Sequence, residues 1–198
     1  MARSVRNEDD PIARFNKWFD QARRANVPLA EAMAVATASR DGRPSVRFIL
    51  LKQADALGFV FYTNRRSPKG RDLSENPRAS LAFYWDATGK QVRVEGRVEE
   101  VSAEEADAYW ASRPRQSQLS GSVSKQSEKL ASRAELLAAV NRFRGTVKGS
   151  DIPRPPDWIG FRVIPDEIEF WTRRSHRLHE RDLFERTKNG WKRTILQP

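Results

Sequence analysis

Over Gln91 to Val101 the chain alternates, with Val92, Val94 and Val98 on one side and Gln91, Arg93, Glu95, Arg97 and Glu99 on the other. A period of two marks a strand with one buried face and one wet or ligand-facing face, and such strands pair antiparallel. Similar segments recur along the chain. Ala32 to Ser39, Ser45 to Lys52, Phe59 to Thr63 and Ala79 to Trp85 precede it; Trp158 to Val163, Ile168 to Trp171, Leu178 to Arg186 and Trp191 to Leu196 follow. Asp41-Gly42 is a hairpin turn signal between the first two. Helical spacing is confined to insertions. Asp10-Pro11 caps a helix carrying Ile12, Phe15, Trp18, Phe19 and Ala22. Ser67-Pro68 opens a short helix ending near Asn76-Pro77, and capping boxes at Ser102/Glu105 and Ser132/Glu135 start helices running to about Arg113 and Phe143. Gln116 to Lys129 reads as a polar, serine-rich connection, and Gly149 to Pro156 as a loop with three prolines.

Strands in series without regular βαβ alternation predict a mainly β (α+β) fold. Its antiparallel sheet is expected to curl into a barrel that removes its edges. The expected organisation is an N-terminal arm and helix over residues 1–29, then a single domain over residues 30–198, with no internal repeat.

At 198 residues the chain suits one ordinary hydrophobic core, and six tryptophans with 10% aromatics argue against disorder. Zero cysteines exclude disulfides, thiolate metal sites and a cysteine nucleophile. His176 and His179 are the only histidines, and no metal site is expected. No apolar run reaches membrane length and no signal-peptide core is seen, so cytoplasm is the expected compartment and no membrane partner is expected. The net charge of +10 comes from 36 basic residues interleaved with 26 acidic ones along the whole chain. A nucleic-acid binder would concentrate its cations in one patch; this spread favours small anionic ligands instead. The glycine-rich and HExxH signatures of the commoner nucleotide-binding and zinc enzymes are absent.

What remains is polar residues set into apolar strands. Arg47 and Lys52 bracket Phe48-Ile49-Leu50-Leu51 and by parity face opposite sides; they are either ligand contacts or strand-end charges reaching water. Tyr62-Thr63-Asn64-Arg65-Arg66-Ser67-Pro68-Lys69 runs from a strand end into a helix start. It reads as a phosphate cradle of backbone N–H groups, two hydroxyls and three cations, or as an ordinary capped helix beside a basic loop. Tyr109, Arg113 and Ser117, four apart, would form one stripe on a continuous helix, although Pro114 interrupts it. If Arg177-Leu178-His179-Glu180-Arg181 is extended, Arg177, His179 and Arg181 share a face, either toward an anionic partner or toward water. Gln126-Ser127 by itself says only polar loop.

Taken in order, these segments resemble the pyridoxine (pyridoxamine) 5′-phosphate oxidase family of flavin enzymes. The resemblance rests on Arg47-Phe48-Ile49-Leu50-Leu51-Lys52, Phe61-Tyr62-Thr63-Asn64, Gln91-Val92, Ser112-Arg113-Pro114-Arg115-Gln116-Ser117-Gln118 and Ser124-Lys125-Gln126-Ser127. Trp158-Ile159-Gly160-Phe161-Arg162, Glu169-Phe170-Trp171 and Arg177-Leu178-His179-Glu180-Arg181 complete it. It implies a split β-barrel homodimer with peripheral helices, binding FMN in clefts between subunits. It implies FMN contacts at Arg47, Phe48, Ile49, Leu50, Leu51, Lys52, Tyr62, Thr63, Lys69, Gln91, Gln126, Ser127, Trp171 and Arg181. The B6 phosphate should meet Lys52, Tyr109, Arg113 and Ser117. Arg177, Leu178 and His179 should lie at the substrate ring, with Arg177 and His179 as the catalytic pair.

The implied reaction oxidises pyridoxine or pyridoxamine 5′-phosphate to pyridoxal 5′-phosphate with O2 as acceptor. Alternatives are a related flavin oxidase of the phenazine-biosynthesis type, and a non-catalytic FMN- or pyridoxal-phosphate-binding protein. Pro68 stands where family members commonly have arginine, which removes a phosphate donor that Arg65 or Arg66 would have to replace. The N-terminal extension and the ending Arg193-Thr194-Ile195-Leu196-Gln197-Pro198 also depart from the family pattern.

Overall fold

The computed structural model describes residues 10–147, 149 and 151–198; residues 1–9 of the expected arm, and 148 and 150 beside and within the expected proline loop, lie outside it. The alternating segments become one antiparallel sheet. Its strands are β1 (Ala32–Ala38), β2 (Pro44–Leu50), β3 (Gln53–Asp55), β4 (Gly58–Asn64), β5 (Arg78–Trp85), β6 (Lys90–Glu100), β7 (Trp158–Thr172), β8 (Glu180–Thr187) and β9 (Gly190–Ile195). The strand order is β2-β1-β5-β6-β7-β4-β3, with β8 and β9 continuing from β7. The ladder does not close on itself. β2 and β3 end the main path, and the corner between them is tied to both neighbours, Leu51 N–H donating to the Glu31 carbonyl and Lys52 N–H to the Val60 carbonyl. The barrel is therefore split, and Ser45 to Lys52 is a strand followed by a corner rather than one strand.

β7 organises the molecule. β6 pairs along its length, while its other edge is shared between β4 at Trp158–Val163 and β8 at Glu167–Thr172. The expected two strands are one, with a bulge: Gly96 faces Pro165 and Glu95 faces Glu167, so the register skips Asp166. Close approach requires a glycine here, since a Cβ on Gly96 would sit 2.0 Å from the Ile164 carbonyl oxygen.

Five helices, α1 (Pro11–Arg24), α2 (Pro68–Glu75), α3 (Ala103–Ser112), α4 (Arg115–Val123) and α5 (Arg133–Thr146), lie around the sheet. Asp10 caps α1, its carboxylate accepting from Ile12 N–H at 2.9 Å. Phe15 of α1 is fully buried, edge-on to Phe59 and Phe83 in the main core. Arg14 reaches from the same helix to Asp182 at 2.6 Å, and Arg193 meets that carboxylate from β9. A second core of Trp110, Leu119, Val140, Ile152 and Trp158 lies among α3, α4, α5 and the start of β7.

Two expectations of local structure are corrected. The serine-rich connection contains α4. Its Ser120 and Ser122 hydroxyls donate to the Gln116 and Gln118 carbonyls four residues back, so serines that would compete with the helix are satisfied inside it. Buried Leu119 supplies the packing. The strand expected from Leu178 begins at Glu180. Before it, Ser175–Arg177 forms a 3-10 turn with His176 and Arg177 at positive φ (55° and 62°), so Arg177 and His179 do not share a strand face with Arg181.

Candidate functional site

The strand-to-helix passage from β4 to α2 builds the first cluster. Thr63 ends β4 buried, and Ser67 caps α2 by accepting from Gly70 N–H at 3.3 Å. Lys69 turns inward, only 5% exposed, donating to the Thr63 hydroxyl at 3.1 Å and the Ser67 hydroxyl at 3.3 Å. An ammonium has three donors, so one N–H is left over. Burial, with Arg47 nearby adding repulsion, pulls its pKa down to about 8. Gln126 closes the cluster from the segment after α4, its amide oxygen accepting from the Thr63 hydroxyl at 2.9 Å and Asn64 N–H at 3.2 Å. Its neighbour Ser127 adopts a left-handed φ of 70°. Arg47 on β2 donates to the Thr37 hydroxyl at 2.7 Å, which donates to Asp72 on α2 at 2.6 Å. Arg65 pairs with Glu100 and Arg66 with Asp157 at 2.8 Å, and Arg66 lines a hollow of about 230 Å³ with Asn64 and Gln126.

The second cluster starts from Tyr62, the residue before Thr63 on β4. Tyr62, Tyr109 and Trp158 lie nearly parallel, with ring centroids 4.1 Å apart for Tyr62–Tyr109 and 4.9 Å for Tyr62–Trp158. Gly160 makes the space, because a Cβ there would come within 2.7 Å of the Tyr62 ring. Burial, followed by the Glu105 carboxylate, pushes the Tyr62 phenol up to about 12. Two cations border the rings: Lys52 Nζ is 6.0 Å from the Tyr109 centroid, and the Arg113 guanidinium lies 5.0 Å from that of Trp158. Arg113 Nη1 is buried without a hydrogen-bond partner among the described residues. α3 stops at Ser112 and α4 starts beyond Pro114, so the expected stripe is not one helix face. The break still brings Arg113 beside the rings, while Ser117 lies in the first turn of α4. Trp158 and Gly160 were not singled out as site residues in the sequence, although both stand in the Trp158–Arg162 motif.

The third cluster lies at the far end of β7. Gln91 faces Trp171 across one ladder and Trp171 faces Arg181 across the next. All three line a hollow of about 220 Å³. A neighbouring hollow of about 560 Å³ includes Leu178, His179 and Arg181. The His179 ring packs on Trp171 at 4.4 Å, and its Nδ1 accepts from Arg174 N–H at 3.1 Å. A neutral His179 therefore carries its proton on Nε2. Arg177 and Leu178 are exposed. On β2, Phe48 is 78% and Val46 67% exposed, and Leu50 is also exposed, whereas Ile49 and Leu51 pack toward the core.

The fold is that of the split-barrel class of proteins, shared with the solved structures below. A family profile described as pyridoxamine 5′-phosphate oxidase matches residues 19–147, and one described as the pyridoxine 5′-phosphate oxidase C-terminal dimerisation region matches 158–198. The chain belongs to the pyridoxamine 5′-phosphate oxidase family. A relative from Myxococcus xanthus (strain DK1622), named pyridoxine/pyridoxamine 5′-phosphate oxidase, is 50% identical over 198 residues, covering 100% of this chain and 96% of that protein. One of the same name from Rubrobacter xylanophilus is 49% identical over 191 residues, covering 96% and 88%. Among solved structures, PhzG from Burkholderia lata 383, in complex with tetrahydrophenazine-1-carboxylic acid, superposes with a TM-score of 0.91 at 38% identity, covering 96% of this chain and 93% of that one. A pyridoxamine 5′-phosphate oxidase-related, FMN binding protein from Nostoc punctiforme shares the fold, with a TM-score of 0.78 at 17% identity, covering 93% and 97%. No helix among the described residues is long and apolar enough to cross a membrane.

Proposed function

We propose that the protein is an FMN-dependent oxidase, converting pyridoxine 5′-phosphate and pyridoxamine 5′-phosphate to pyridoxal 5′-phosphate with O2 as acceptor. The observation that carries this reading is a pair of cationic seats with a spare donor in each. One is Lys69, with its spare N–H among hydroxyls; the other is Arg113, with its orphaned Nη1 beside stacked rings. Two phosphates, one on the cofactor and one on the vitamer, supply the counter-charges that buried cations need.

Lys69, Thr63, Ser67, Gln126 and Arg47 would hold the FMN phosphate. Lys52, Tyr109, Arg113 and Ser117 would hold the vitamer's. FMN would supply a two-electron acceptor for the hydride on the vitamer's 4′ carbon; those electrons, with the hydride's proton and the one released from the 4′ hydroxyl or amine, would reduce O2 to H2O2. With the amine, water replaces the nitrogen and NH3 leaves. The protein's part is alignment, which can lower a barrier by roughly 7–11 kcal/mol in favourable cases. Arg177 and His179 would orient the pyridine ring, His179 through Nε2–H because Nδ1 is occupied by the Arg174 backbone.

Tyr62 pairs with Gly160 and Gln91 with Trp171, so the two ends of the expected FMN site are eleven residues apart on β7, roughly 35 Å of strand. A mononucleotide does not span that length. This supports a homodimer in which Gln91, Trp171 and Arg181 of one copy complete the seat around Lys69 of the other. The exposed Val46 and Phe48 beside that seat fit burial in such an interface.

Anaerobic mixing of FMN-loaded protein with pyridoxamine 5′-phosphate tests the reading: the flavin absorbance should bleach and return on admitting air. The likeness to PhzG, solved with tetrahydrophenazine-1-carboxylic acid, favours a second reading in which a reduced phenazine carboxylic acid such as that one is the substrate. Faster bleaching by that acid than by the phosphorylated vitamer would select it.

A further inference from the structure

Glu169 sits where a carboxylate is costly, on β7 with its side chain only 6% exposed. Oε1 accepts from Arg181 Nε at 2.7 Å, whereas Oε2 lies 3.1 Å from Arg93 Nη2 but lacks hydrogen-bond geometry to any described group. Arg181 is caught at a second point, Nη1 donating to the Gln197 carbonyl at 2.9 Å. Two of the three guanidinium nitrogens are thus tied back, and Nη2 has no partner among the described residues. Glu169 and Arg93 line the same hollow of about 220 Å³ as Gln91, Trp171 and Arg181. A long cationic side chain loses rotamer freedom when it grips a ligand, and one already fixed loses less.

Resting on the FMN reading above, we infer that Glu169 is a positioning residue for the cofactor, fixing the Arg181 guanidinium so that its remaining N–H groups are offered to the bound flavin. Arg93, its partner across the β6–β7 ladder, balances the second oxygen so that the acid adds little repulsion toward an anionic ligand. An ordinary cross-strand ion pair between Arg93 and Glu169 would explain the burial equally well, but it predicts no coupling to Arg181.

A double-mutant cycle separates the two. FMN affinity is measured by quenching of flavin fluorescence on the apo-protein for wild type, Glu169→Gln, Arg181→Gln and the double variant, with thermal unfolding of each apo-protein alongside. Removing a residue that orients a ligand-holding group costs about ten- to a hundredfold in affinity at metal centres; about tenfold is expected here for Glu169→Gln. The double variant should bind no more weakly than Arg181→Gln alone. Additive losses, or a loss in Glu169→Gln with none in Arg181→Gln, would overturn the inference. If Glu169→Gln does not fold, Glu169→Asp keeps the charge but withdraws it by one methylene. It should weaken FMN binding about threefold, and unchanged binding would count against the inference. Wild type that takes up no FMN would sink the reading of the preceding section first, and this inference with it.

Discussion

The seat around Lys69 and the turn around Arg177 carry the same kind of charge and are built in opposite ways. Lys69 is buried, with two hydroxyls on its ammonium and Gln126 bridging the Thr63 wall. Arg177 is exposed, at positive φ, with no side-chain partner among the described residues. A preformed, hydrogen-bonded seat suits a ligand that stays, because the ordering entropy is lost once, on folding. An open cation on a turn suits a ligand that arrives and leaves, engaging only when the second wall of the site is in place. On the proposed function, the difference would give retention of FMN to the first region and turnover to the second.

Substitutions can break that division. Arg177→Ala is expected to lower kcat about 100-fold, within the range usual for groups aligned at the reacting centre, while leaving FMN affinity within twofold. Stopped-flow flavin reduction together with a flavin titration reads both quantities, and the reverse pattern would refute the division. Lys69→Met should weaken FMN binding about 30-fold, as expected for a lost hydrogen-bonded charge worth roughly 2 kcal/mol, with turnover per bound flavin nearly unchanged.

The pH dependence sharpens the contrast. Lys69 is pulled to about 8 from an ordinary 10.5, so between those values the unfolded chain binds a proton that the folded apo-protein does not. Stability of the apo-protein should therefore rise with pH across that window, and FMN affinity should fall as Lys69 loses the charge that meets the phosphate. Denaturant melts and FMN titrations from pH 7 to 10 check both signs, and Lys69→Met should flatten each. Gly160→Ala should displace the Tyr62 ring, destabilising the fold by about 1–3 kcal/mol and raising KM for the phosphorylated substrate more than it weakens FMN. The smallest effect is expected from Arg65→Ala and Arg66→Ala, whose guanidinium groups are exposed and already paired with Glu100 and Asp157. Neither should move FMN affinity by more than twofold.

Strand alternation, the hairpin at Asp41-Gly42 and the caps at Asp10, Ser67, Ser102 and Ser132 were all legible, because each depends on neighbours in sequence. The family motifs were equally plain as strings. α4 was hidden because its serines bond back into the helix and its stability comes from burying Leu119 against residues far along the chain. The turn at Arg177 was hidden because positive φ at His176 and Arg177 has no glycine to announce it. Trp158, Gly160, Asp72 and Glu169 support the site through contacts made only after folding. A glycine against a tyrosine ring and an acid behind an arginine leave no local pattern.

The unpaired Asp166 in β7 has a consequence for inheritance of length. Ile159, Phe161 and Val163 enter the main core before it, and Ile168 and Phe170 after it, so odd positions give way to even ones. That phase change lets Glu169 and Trp171 turn away from the core while Ile168 and Phe170 fill it. Losing Asp166 alone would restore plain alternation, with Ile168 and Phe170 still facing in and Glu169 and Trp171 still facing out, and would remove only the local kink. The strand thus absorbs one extra residue without turning over either wall, whereas a one-residue insertion or loss elsewhere in β7 would exchange the two faces.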